Sequence, residues 1–156
     1  MTRIELITEI NAPIKLCFDL SLNVELHQLS TSKTKEFVVE GRKKGIFTEG
    51  ETITWRAKHF GIWQNLTGKI VKVERPDYFI DEMLEGAFKS LKHLHTFEEK
   101  NGITVMKDVL EYETPYGIFG NMFDAVVLKK YMTNFLKERN IFVKKAAETD
   151  LHKKFI

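Results

Sequence analysis

His93 and His95 stand two residues apart in the run Ser90-Leu91-Lys92-His93-Leu94-His95-Thr96-Phe97. Successive side chains of an extended chain point to opposite faces, so the two imidazoles share one face. Imidazole titrates near neutral pH and a neighbouring carboxylate can orient it, which equips such a pair for hydrogen bonding to a ligand or for proton transfer. Asp81 and Asp108, each inside its own strand-like run, are the candidate carboxylates. His59 lies on the same side if Trp55 points inward, because Ile53, Trp55, Ala57 and His59 alternate with Thr52, Thr54, Arg56 and Lys58. Gln64 and Tyr112 add two further polar anchors. Three roles are open to the histidines: satisfied interior residues, ligand anchors or acid–base groups, and metal ligands. The His-x-His spacing is usable for metal, but the other ligands would have to come from distant segments, so neither a metal nor another cofactor is expected.

The aromatic residues have two readings as well. Trp55, Phe119, Phe123 and Tyr112, with Phe60, Phe79 and Phe97, are the side chains that would line a pocket for an apolar ligand, or they fill a core. Trp63 is out of phase with Ile62 and Leu66, which predicts an exposed position at a partner or homodimer surface. Arg139 falls beside the apolar stripe of Phe135 and Phe142 and therefore needs an acidic or backbone partner. Glycine-rich phosphate loops ending in lysine, Gly-x-Ser-x-Gly elbows and cysteine metal patterns are all absent.

These residues need a frame to bring them together. The chain has 156 residues, 43% of them apolar, enough for one continuous core. Its formal charge of +2, from 24 basic and 22 acidic side chains, gives no field suited to nucleic acid. Cys17, the lone cysteine, has no internal partner and falls on a helix-like stretch, so a buried thiol in a cytoplasmic, reducing setting is expected. No apolar run reaches membrane-span length, so stable membrane insertion is not expected.

Apolar residues at 4, 6 and 10 predict a first strand, and Pro13 opens a short helix to Leu22 with a second helical turn over 24–29. Six extended segments follow: 36–40, 52–59, one from Ile62 broken at Arg75-Pro76-Asp77, 78–85, 88–98 and 103–113. Asn101-Gly102 is a hairpin signal, and the glycine-punctuated loop 41–50 reads as a flap at a cavity mouth. The change of apolar phase from Ile70 to Val71 and Val73 marks a bulge. From Phe119 to Glu148 apolar residues recur at helical spacing, predicting one long helix, and 149–156 reads as a frayed tail to a single domain spanning 1–148.

A strand, two short helices, six antiparallel strands and a long terminal helix make an α+β helix-grip order, in which about seven strands wrap the C-terminal helix. Ile10-Asn11-Ala12-Pro13 with Phe18-Asp19-Leu20, then Gly50-Glu51-Thr52-Ile53-Thr54-Trp55, Glu74-Arg75-Pro76 and Phe135-Leu136-Lys137-Glu138-Arg139-Asn140 carry a resemblance to the START-like (SRPBCC) superfamily. The chain resembles its small bacterial ligand-binding and polyketide cyclase or dehydrase branch over residues 3–147. The resemblance implies a cavity between sheet and helix for a small apolar or amphipathic molecule. It leaves open a cyclase- or dehydratase-type enzyme acting on a carbonyl compound, because members of one fold differ in activity. A domain with a filled interior, working through the surface near Trp63, is the third possibility.

Overall fold

The computed structural model describes residues Met1–Ile156. Alternation lays out β1 (Thr2–Ile10) with Ile4 and Ile10 buried and Glu5, Ile7 and Glu9 facing out. Pro13 stands immediately before α1 (Ile14–Ser21), whose Cys17, Phe18 and Leu20 enter the core. Asn23 caps α2 (Val24–Ser30) by accepting the Leu26 amide hydrogen at 2.8 Å, satisfying one of the free donors of a helix start.

The strands that follow are β2 (Phe37–Glu40), β3 (Thr52–His59), β4 (Ile62–Glu74), β5 (Tyr78–Glu85), β6 (Ser90–Lys100) and β7 (Ile103–Glu113). They form one antiparallel sheet in the order β1-β7-β6-β5-β4-β3-β2. Asn101 and Gly102 turn the β6–β7 hairpin at φ of 53° and 79°, a conformation these two residue types accept most readily. The expected bulge is present: pairing steps from Ile70↔Asp81 to Lys72↔Ile80, so Val71 is the extra residue and Val73 packs on the core.

The C-terminal helical run has three parts: α3 (Gly117–Phe123), a π-helical turn (Asp124–Leu128) and α4 (Lys129–Glu148). A Cβ on Gly120 would lie 1.9 Å from the Pro115 carbonyl oxygen, so only glycine lets α3 fold back this closely. The π turn corrects the expectation of one uninterrupted helix. It carries Asp124 inward to accept hydrogen bonds from Tyr112 Oη and Thr2 Oγ1, while Phe119 of α3 and Val126 of the π turn stand largely in solvent rather than on a buried stripe.

Two cores result. Phe18 meets Phe79 and Phe97 edge-on at 5.6 and 5.1 Å in a large cluster with Met106, Val143 and Ala146. Fully burying one such side chain contributes about 1.5–3 kcal/mol. A smaller cluster joins Ile4, Leu110 and Tyr112 to Leu128 and Leu136. Residues 149–156, expected to fray, instead form a 3-10 turn (Asp150–Lys154) that lays Leu151 and Phe155 on the large core. Likewise, the 41–50 loop is tied down, with Val24 N donating to Gly45 O and Phe47 N to Leu22 O. No helix is long and apolar enough to cross a membrane.

Candidate functional site

Between the sheet and the C-terminal helices lies a cavity of about 730 Å³, within the range of small-molecule sites. Of its 38 lining residues 22 are hydrophobic, so the walls are apolar with polar groups at a few places. Strands β3 and β4 present Trp55, Ala57, Leu66 and Gly68, while α4 covers them with Tyr131 and Phe135.

One polar pole is built by three adjacent strands. Register sets Asp81 of β5 opposite His93 of β6, and Asp108 of β7 opposite His95. The side chains pair diagonally: His93 Nε2 is 2.7 Å from Asp108 Oδ1, and His95 Nε2 is 2.7 Å from Asp81 Oδ2. The two imidazoles stack at 3.6 Å, and Phe79 stacks on His95 at 4.0 Å. Asp108 is completely buried and also accepts from Asn140 Nδ2 at 2.6 Å and Arg139 Nη1 at 3.5 Å. Arg139 thus has its acidic partner, and it donates to the Ser21 carbonyl at 3.3 Å as well.

Burial pushes the Asp108 carboxyl up, but hydrogen bonds from His93 and His95 and the nearby positive charge of Arg139 outweigh it, holding Asp108 well below the usual carboxylate range. Asp81 is held below its ordinary value by the same balance, with the His95 hydrogen bond the leading favourable contribution against burial. The pKa of His93 is lowered, first by burial and then by the His95 charge.

Elsewhere on the wall His59 Nδ1 meets Tyr131 Oη at 2.6 Å, and burial lowers the pKa of His59. His27 Nε2 meets Glu36 at 2.5 Å while its ring lies 4.4 Å from that of Trp55. Four of the five histidines in the sequence therefore line this cavity, each held by an acidic or phenolic partner. His27, Glu36 and Tyr131 escaped the sequence reading. The available signals were spacing alone: His27 lies three residues after Val24 on the inner face of α2, and Tyr131 four before Phe135.

Of the residues singled out from sequence as lining, Trp55, His59, Phe60, Gln64, Phe79, Asp81, His93, His95, Phe119 and Phe123 reach the cavity wall. Phe97, which stays in the large core, Asp108 and Tyr112 do not. Asp108 is screened from the space by the histidine rings it holds, and Tyr112 turns into the smaller core, where its hydroxyl donates to Asp124 Oδ1 at 2.5 Å. Phe119 and Phe123 touch the cavity but remain 76% and 46% exposed, because α3 has no layer packed over its outer face. Trp63 faces outward as expected, edge-on to Phe37 and beneath the Arg56 guanidinium.

No protein-family model and no curated protein matches the sequence. Solved structures do. A START superfamily protein from Mycobacterium smegmatis is similar with a TM-score of 0.70 over 94% of this chain and 97% of that one, at 11% identity. This chain has the START-like fold. The START-like framework is also shared with a protein from Thermus thermophilus, at a TM-score of 0.73, 19% identity and 94% and 99% coverage of the two chains. Major latex-like protein 151 of Panax ginseng is similar at a TM-score of 0.68 and 15% identity, over 95% of this chain and 98% of that one. At these identities the START-like likeness concerns fold, and function must be argued from the site.

Proposed function

We propose that residues 1–148 form a START-like domain that binds a small, largely apolar molecule between the sheet and the C-terminal helices. The observation that carries this reading is the 730 Å³ apolar cavity with polar groups gathered at discrete points. Affinity comes chiefly from apolar area removed from water, at about 25 cal/mol per Å². Orientation comes from Asp81, His93 and His95, with Gln64 and the His59–Tyr131 pair as secondary anchors and Trp55, Phe119 and Phe123 as walls. Asp108 acts behind the wall by fixing the histidine rings. The buried thiol of Cys17, whose pKa burial raises to about 11, suits a reducing cytoplasmic setting. Trp63 and Phe37 are the residues through which a homodimer would form.

Native mass spectrometry of freshly purified protein, followed by a thermal-shift screen of fatty acids, sterols, flavonoids and aromatic polyketides, tests the reading. A co-purifying mass, or a compound that raises Tm in a concentration-dependent way, is the expected result. Neither a bound mass nor a shift across all four classes would overturn it.

A second reading has its own observation. Two imidazoles, each paired with a carboxylate, face the same apolar space, an arrangement suited to proton exchange with a carbonyl-bearing substrate in a cyclase- or dehydratase-type reaction. Turnover of the identified ligand that is lost in His93→Ala, with binding retained, would establish the enzyme. Binding without turnover would leave the carrier reading alone.

A further inference from the structure

We infer that the cavity takes a rod-shaped molecule with a hydroxyl at each end and an apolar middle, its two polar ends about two helical turns apart. The inference rests on the cavity-binding reading and narrows it to a ligand class.

The spacing is set by α4. Tyr131, Phe135 and Arg139 recur every fourth residue, so they share one face of that helix, and all three line the cavity. Tyr131 Oη meets His59 Nδ1 at 2.6 Å, and Arg139 Nη1 meets Asp108, the carboxylate that holds His93, at 3.5 Å. From position 131 to position 139, at about 1.5 Å per residue, these two stations lie roughly 12 Å apart along the helix. Between them α4 offers the cavity only Met132, Phe135 and Leu136. The middle of the ruler is therefore apolar.

Each station has hydrogen-bonding capacity left over. At the first, His59 spends Nδ1 on Tyr131 and keeps Nε2 free, and Gln64, diagonal to His59 across the β3–β4 pairing, makes no side-chain hydrogen bond within the chain. These groups can accept or donate. At the second, Asp81 gives Oδ2 to His95 at 2.7 Å while Oδ1 bonds to nothing in the chain, and 32% of its side chain is open. Despite burial, the His95 hydrogen bond and nearby positive charge, that of Arg139 included, hold the Asp81 carboxyl below its ordinary value, so this end accepts hydrogen bonds and donates none. A wholly apolar molecule would cover both stations without pairing them, and polar groups covered in that way carry their desolvation cost. A hydroxyl at each end pairs both.

The test uses trans-stilbenes carrying a hydroxyl at both para positions, at one, or at neither, titrated into full-length protein by calorimetry. The rigid frame sets the two oxygens about as far apart as the stations. Each hydroxyl should tighten binding about 3–10-fold. In the shorter biphenyl frame, adding the second para hydroxyl should gain less than about 2-fold, because one end then falls short of its station. Asp81→Leu should abolish the gain from the second stilbene hydroxyl while the monohydroxy compound still binds, and His152→Ala, on the C-terminal turn, should change nothing. Circular dichroism checks folding; if Asp81→Leu does not fold, the ligand series on the unaltered protein decides. Equal affinity for the three stilbenes, an equal gain in the biphenyl frame, or a gain retained in Asp81→Leu would overturn the two-ended ligand and leave the cavity reading intact. Failure of all three to bind also overturns it, whereas the cavity reading itself stands or falls with the wider screen of compounds.

Discussion

The two ends of the cavity are built on opposite principles. At the β5–β6–β7 end, polar groups are buried, mutually hydrogen-bonded and locked by stacking, with Asp108 at the centre of contacts from His93, Asn140 and Arg139. At the α3 end, Phe119 and Phe123 of a short helix and Phe60 of the β3–β4 turn are all exposed to solvent. A buried charged network is costly to break because each group left unpaired retains its desolvation penalty, whereas an exposed aromatic has little left to lose. The first end is therefore held rigid, and the second is free to adjust.

The sharpest test of that contrast is Asp108→Ala. It leaves Arg139 without its acidic partner and His93 and Asn140 without their shared acceptor, and should cost about 3–5 kcal/mol in urea denaturation. Tyr112→Phe probes the join between the two ends, since the lost hydroxyl leaves Asp124 with Thr2 as its remaining side-chain donor; a loss of about 1–3 kcal/mol is expected by the same measurement.

Acid should weaken the protein in two stages. The pKa values of His93 and His59 are lowered from 6.5, so their contribution is complete above that pH and is lost as pH falls from 6.5 toward the folded-state values. The Asp108 pKa lies well below 3.8, so its contribution is present above 3.8 and disappears only as pH falls further. Thermal melts from pH 8 to 2 should show one decline below pH 6.5 and a further one below pH 3.8, and His93→Gln should reduce the first. The smallest effect is expected at the other end, where Phe119→Ser should change stability by no more than about 0.5 kcal/mol while altering ligand uptake rates. A loss comparable to that of Asp108→Ala would break the comparison between the ends.

Much of the frame was legible in the residues themselves. Period-two alternation located β1 and β3, Asn101-Gly102 located a hairpin, and the phase change after Ile70 located the bulge, because each is a local steric or patterning rule. The shared face of His93 and His95 followed from the same rule. The α3–π–α4 division was hidden because helical spacing continues through it, while the turn is imposed by Asp124 meeting Tyr112 and Thr2 from distant strands. The order of the C-terminal 149–156 segment likewise depends on Leu151 and Phe155 finding a core formed elsewhere.

For the site, sequence singled out the candidate residues and showed that His93 and His95 share one strand face. Tertiary structure decided which of them meet. Asp108 and Asp81 pair with the histidines across the diagonal of a three-strand register, Tyr112 turns away to Asp124, and His27, Glu36 and Tyr131 arrive at the wall from segments with no sequence proximity to it. Alternation fixes the face of a strand locally, but strand order, helix placement and side-chain pairing are set by long-range packing, which no short window of sequence encodes.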